Sequence, residues 1–278
     1  MATNQEQRVK GKVISVCSAK GGIGKTLLSV NLAVALNKNK LDVVVVDGDF
    51  QFGDVALAMD VKPTFTLKNV MEEINQIDQH AISDYLTAHR TGVKILAGPE
   101  RPEYADLVTS EALIKTINLL KNGQDYIIID HGIGIQEQSI ELLEEADEIL
   151  LITNLEMTAL KNTKLMMETL RQLGIKDKVR LVVNRFTMES LIAANDVPEM
   201  LGEEDAFFIP NNFKIAAQSL NLGIPFVISQ SKCDLSKAMF KMAEGIIGKQ
   251  KQQTVSSNGK TSILTGLLSP RRKGVRGS

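Results

Sequence analysis

The sequence predicts an α/β fold, a mostly parallel central sheet with helices on both faces. Short, continuously apolar, β-branched runs recur along the chain, as in Val43-Val44-Val45-Val46 and Ile127-Ile128-Ile129. That pattern marks strands buried on both sides. Between the runs lie stretches with apolar residues at helical spacing, which must cover the two faces. No internal repeat interrupts the alternation, and 278 residues suffice for a sizeable core.

Taken in order, Lys12 to Cys17 is a β-branched strand, and Leu27 to Leu36 is an Ala-containing helix. Leu41 to Asp47 is the second strand. Leu67 to Ile74 and Gln79 to Leu86 are short helices, and Val93 to Leu96 is a strand stopped by Gly98-Pro99. Ser110 to Lys121 is a helix with apolar residues at 113, 114, 117 and 120, and Ser110 is its N-cap. Tyr126 to Asp130 is a strand, Gln136 to Glu145 a helix and Glu148 to Thr153 a strand. Ala159 to Leu173 is a helix closed by Gly174. Val179 to Asn184 and Phe207 to Pro210 are strands; Lys214 to Leu220 and Leu235 to Ile247 are helices.

Composition narrows the class. Hydrophobic residues make up 44% and charged residues 23%, ordinary values for a globular protein. Cys17 and Cys233 are far apart, which excludes a metal knuckle and a disulfide framework and suits a reducing cytosol. No apolar run reaches transmembrane length, and residues 1–12 are too polar for a signal peptide. The expected location is therefore cytoplasmic. The net charge of −1 hides an asymmetry. Residues 249–278 carry seven Lys/Arg and no acid, whereas residues 1–248 carry 25 basic against 33 acidic groups, a net of −8. Two units follow: a folded body, 1–248, and a basic flexible tail, 249–278. Within the tail, Ile263, Leu264, Leu267 and Leu268 share one helical face ahead of Pro270 and the basic Arg271, Arg272, Lys273 and Arg276. Such a segment suits an anionic membrane surface, here the inner face of the cell membrane, or else a solvated tail.

The chemistry centres on Ser18-Ala19-Lys20-Gly21-Gly22-Ile23-Gly24-Lys25-Thr26, between the first strand and the first helix. Glycines let consecutive backbone amides, from Gly21 to Leu27, converge on one anion, and the helix N-terminus adds positive potential there. Lys25 supplies a charge to β- and γ-phosphates, and the Thr26 hydroxyl is a ligand for Mg²⁺. The usual loop has Gly where Ala19 stands. With Lys20 ahead of the glycines, K-G-G-x-G-K-T resembles the signature of the deviant Walker A ATPases, the MinD/ParA group. That resemblance implies a P-loop NTPase fold and ATP with Mg²⁺ as cofactors.

Three further motifs lie at strand ends. Asp47 and Asp49 follow the second strand and, on an extended chain, point the same way. Asp47 is expected near Mg²⁺ and Asp49 beside the attacking water. Ile127-Ile128-Ile129-Asp130 is a Walker B pattern, with Asp130 on the metal. The group usually continues D-x-P-P-G; here the residues are Asp130-His131-Gly132-Ile133-Gly134, so Gly134 is kept and both prolines are absent. His131 is expected to be solvated or packed. Asn184, with Arg185, stands where related ATPases bind adenine, and Ile209-Pro210, followed by Asn211, resembles the loop that closes over the base in them.

The resemblance runs from about Val13 to Ile247. Within the group, Gln51-Phe52-Gly53-Asp54, residues 97–103 and residues 211–227 are similar to pilus-assembly ATPases of the CpaE/TadZ type, although no receiver-like domain is expected ahead of Lys12. It implies a homodimer when ATP is bound, Lys20 reaching the partner's phosphates, slow hydrolysis, and an unidentified protein cargo or activator. The expected function is a localisation switch for pilus or secretion assembly. Flagellar-number control, division-site placement and a nucleotide-gated scaffold without hydrolysis remain alternatives. The acidic body disfavours DNA partition, and no sequence-specific nucleic acid partner is expected.

Overall fold

The computed structural model describes residues 10–135 and 137–261, with the side chains of residue 137 and of residues 249–261 outside the description. Its strands are β1 (Lys12–Cys17), β2 (Val43–Gly48), β3 (Thr87–Ala88), β4 (Lys94–Leu96), β5 (Tyr126–His131), β6 (Glu148–Thr153), β7 (Val179–Asn184) and β8 (Ala206–Ile209). They form one sheet in the order β3-β4-β2-β5-β1-β6-β7-β8. Every pairing is parallel except β3 with β4. β1 to β2 leads toward one edge and β6 to β8 toward the other, so the order reverses at β1. In open parallel sheets, ligands bind outside the strand C-termini at such a reversal.

The helices are α1 (Lys25–Asn37), α2 (Val55–Ala58), α3 (Leu67–Glu73), α4 (Ser110–Lys121), α5 (Glu137–Glu145), α6 (Met157–Gln172), α7 (Val197–Leu201), α8 (Phe213–Leu222), α9 (Phe226–Ser229) and α10 (Asp234–Thr261). They divide the apolar core into two main layers. One joins Ile14, Val16, Val45 and Ile128 to α1, α9 and α10; the other joins Val13, Val44, Ile127 and Ile129 to α3, α4, α5 and α6. Strand alternation places neighbours such as Val13 and Ile14 in opposite layers. α1 is buried from Leu27 to Leu36 because α10 covers the side that the sheet does not.

Three expectations change. The N-cap of α4 is Thr109, whose side chain accepts from the Ala112 amide (3.3 Å), and Ser110 is already helical. Residues 79–86 form only a 3₁₀ turn, Ala81–Tyr85, entered through an Asx turn in which Asp78 Oδ1 accepts from the amides of His80 and Ala81, both at 2.8 Å. The stretch from Lys249, expected as a linker, continues α10 to Thr261. Lys and Gln are good helix formers, and a helix docked through Ile246 propagates more readily than it nucleates. The apolar and basic residues from Ile263 onward lie outside the described residues.

Candidate active site

β1 delivers the chain to the sheet's C-terminal rim, and residues 18–24 turn it into α1. Gly22 (φ +72°) and Gly24 (φ +98°) hold left-handed conformations that favour glycine. A Cβ at Gly24 would also approach the Asn184 Nδ2 to 2.8 Å. The Ser18 hydroxyl braces the turn by donating to the Lys20 carbonyl (2.8 Å). No side chain caps α1, and its first turn holds no acid. Its leading amides therefore face the loop, where an anion is stabilised.

The hydroxyls of Thr26 and Ser29 donate to the two oxygens of Asp130, at 2.6 and 2.8 Å. Burial pushes the Asp130 carboxyl up to about 6, against these bonds and the Lys25 charge, which pull it down. Asp47 faces Asp130 in register across β2 and β5. Burial, and then the neighbouring Asp130, hold its carboxyl well above the usual range. It accepts from the amides of Val55 (3.1 Å) and Asp49 (3.2 Å). Two buried carboxylates beside a hydroxyl are an oxygen set of the kind Mg²⁺ takes with waters, and a cation there would relieve the burial cost of both. The residues fit the group. Gly53, not singled out from sequence, is needed for this approach, since a Cβ there would lie 2.4 Å from Asp47 Oδ2.

Asp49 departs from expectation. β2 ends at Gly48, so the alternation that would align Asp49 with Asp47 stops one residue too soon. Asp49 instead accepts from the amides of Gln51 (3.3 Å) and Phe52 (3.0 Å) in an Asx turn at the rim. The proline missing at position 132 has a reason here. The Gly132 amide donates to the Gly48 carbonyl (3.4 Å) and the Gly134 amide to the Ser18 carbonyl (3.3 Å). Proline at 132 has no N–H to make the first bond. Gly134 thus ties this loop to the glycine loop, and Ile133 lies over Gly21, where a Cβ would meet its Cδ1 at 2.7 Å. His131 is packed: it points away from Asp130, shares a 3.0 Å hydrogen bond with Ser15 Oγ, and burial pushes its imidazole down to about 4.

Lys20 is ion-paired with Glu156 and donates to the Thr158 hydroxyl (3.1 Å). Lys20 in turn holds the Glu156 carboxyl below its ordinary range. Glu156 precedes α6, in a turn fixed by its amide donating to Asn154 Oδ1 (3.1 Å). Sequence reasoning missed Glu156; the available signal was a polar stretch following β6 at the same rim. On the other side, Asn184 Nδ2 donates to the Ile23 carbonyl (2.6 Å), and its Oδ1 accepts from the Arg185 amide (2.9 Å). Arg185, at φ +55°, donates to the Gly22 carbonyl (3.2 Å). Gly24, Leu27, Asn184, Arg185, Pro210 and Phe213 line one cleft. The loop, both β-strand aspartates, Asn184, Arg185 and Pro210 therefore converge around the start of α1. A wider cleft of about 360 Å³ lies between Lys176, Arg180 and Phe207 at the β7–β8 end, but its two cations are already paired with Glu203 and Glu148.

Comparison with known proteins gives this geometry its family. Residues 11–183, more than half the chain, match an AAA domain. The septum site-determining protein MinD of Synechocystis is 28% identical over 226 residues, which cover 79% of this chain and 83% of that protein. Among solved structures, MinD of Pyrococcus horikoshii, complexed with Mg-ADP, superposes with a TM-score of 0.74 at 26% identity, over 85% of this chain and 96% of that one. A ParA family ATPase from Chlorobium tepidum shares the fold, with a TM-score of 0.79 at 22% identity over 84% and 98%. The chain belongs to this AAA-domain family, as a P-loop ATPase of the MinD/ParA type.

Proposed function

We propose that this chain is an ATP-dependent dimerising switch that hydrolyses ATP slowly and, in its ATP-bound form, positions a cellular machine. The observation that carries the reading is the 2.6 Å contact of the Thr26 hydroxyl with buried Asp130, at the uncapped start of α1 beside Lys25. In this reading the amides from Gly21, Gly22, Ile23 and Gly24 through Lys25, Thr26 and Leu27 hold the phosphates, and Lys25 places its charge on the β- and γ-oxygens. Thr26, Asp47 and Asp130 hold Mg²⁺, which when bound supplies charge neutralisation at those oxygens. Asp49 orients the attacking water and Gly134 borders the γ-phosphate. Asn184, Arg185 and Pro210 hold the base; after its two internal bonds, Asn184 keeps one N–H and one lone pair for it. Lys20 leaves Glu156 to reach the phosphates of a second copy, in the manner of an arginine finger.

The cargo we propose is a pilus or secretion assembly, supported by the Gln51–Asp54, 97–103 and 211–227 stretches. The names of the MinD relatives support a second reading, division-site placement. The unit boundary at 248/249 is retained as a functional division, with the tail a peripheral anchor on an anionic inner membrane surface. Among the described residues no helix is long and apolar enough to cross a membrane.

Calorimetry tests the chemistry. Mg²⁺-ATP should bind, with phosphate released slowly, and Lys25→Ala should lose binding; unchanged affinity in that variant would remove the nucleotide assignment. A deletion strain separates the cargoes, by lost pili with normal septa or by misplaced septa.

A further inference from the structure

We infer that Phe213 is the platform on which the nucleotide's base stacks. The inference rests on the nucleotide reading above and adds a residue to it. The void in the cleft between Gly24, Leu27, Asn184, Arg185 and Pro210 is about 30 Å³, room for roughly one water. A base bound here lies largely across its rim. The polar groups there are largely engaged within the protein. Asn184 bridges Ile23 and Arg185, the Arg185 guanidinium holds the Gly22 carbonyl, and the Asn211 amide donates to Thr187 Oγ1 (2.9 Å). Beyond the one N–H and one lone pair left on Asn184, what the rim offers is one flat apolar group. Among the described residues Phe213 is the single aromatic lining the cleft, and it is 74% exposed in a chain with 4% aromatics. It is also held in place: it is the first residue of α8, whose N-cap Asn212 accepts from the Ile215 amide (3.1 Å). A ring fixed at a helix start, facing water beside a site too shallow to enclose a base, loses little entropy when a second π-face covers it.

The experiment compares Mg²⁺-ADP with Mg²⁺-tripolyphosphate, which has phosphates and no base, by calorimetry on the full chain. Phe213→Ala should weaken ADP about tenfold and leave tripolyphosphate unchanged. Because the chain has no Trp, Phe213→Trp introduces its sole indole. That variant should retain ADP affinity, and its emission should be quenched by ADP and not by tripolyphosphate. Unchanged ADP affinity in Phe213→Ala, an equal loss for both ligands, or an unquenched indole would each overturn the inference. The two levels separate cleanly. If Lys25→Ala leaves ADP binding intact, the nucleotide reading falls and this inference with it; if Lys25→Ala abolishes binding and Phe213→Ala does not change it, only the stacking role falls.

Discussion

At the scale of single residues, the two titratable groups that end β5 oppose each other. Asp130 has a folded pKa of about 6 against an ordinary 3.8, because burial disfavours its charged form. Its favourable contribution is complete below the ordinary value and is lost as pH rises through 6. Above that, the buried charge costs on the order of 3 kcal/mol. His131 has a folded pKa of about 4 against an ordinary 6.5. Its contribution is present above 6.5 and lost as pH falls toward 4, where the unfolded chain takes up the proton and the folded one does not. The expected outcome is that Asp130→Asn, without Mg²⁺ or nucleotide, gains about 1–3 kcal/mol at pH 8 and about half as much at pH 5, while losing Mg²⁺-dependent nucleotide binding. Thermal unfolding at the two pH values measures this; destabilisation at pH 8 would show that the carboxylate is not a strained group there. The same residue was legible from sequence, since an apolar run ending in Asp is a strong pattern. Glu156 was not, because its importance comes from the distance that folding closes between residues 20 and 156.

Among elements, length decided what could be read. β1, the glycine loop and α1 announce themselves by a change from strand to helical periodicity across glycines. α2 and α9 have four residues each, and β3 has two, too few to express any period. α7 falls in residues 185–205, where scattered polar residues leave no continuous face. α10 shows the opposite error. Its buried apolar residues among the described side chains are Leu235, Met239, Met242, Ala243 and Ile246, and its backbone runs past the boundary read from the sequence to Thr261. Packing, not hydrogen bonding, was what the pattern reported. Truncation after Lys249 keeps every one of those contacts, so stability should change by less than about 0.5 kcal/mol. It removes the apolar 263–268 stripe and its basic neighbours, so co-sedimentation with anionic vesicles in ATP should disappear. One such segment would bind weakly, and two in a dimer would gain by avidity. Equal co-sedimentation of the truncated and full-length proteins would end the anchor reading.

For the whole molecule, the proposed switch must bring two acidic bodies together. Residues 1–248 carry a net −8, so association opposes a general repulsion and depends on local contacts. The rim offers them: Phe52 and Ile133, on the loops that follow β2 and β5, and Met157, at the start of α6, are large apolar residues left 72%, 58% and 67% exposed. Lys20 stands among them, paired within its own chain to Glu156, and both side chains are about a third exposed. An ion pair so open to solvent is worth at most about 1 kcal/mol, so releasing Lys20 to a second copy costs little. ATP should therefore double the mass of the wild-type protein in light scattering. Asp49→Ala should stay dimeric, because phosphate binding survives while water positioning is lost. Lys20→Ala should bind ATP as a monomer. Glu156→Gln, which frees Lys20 without removing it, should dimerise at up to about fivefold lower protein concentration. The same mass for all four proteins, with and without ATP, would refute the two-copy switch, and Lys20→Ala dimerising like wild type would take the trans role from that lysine.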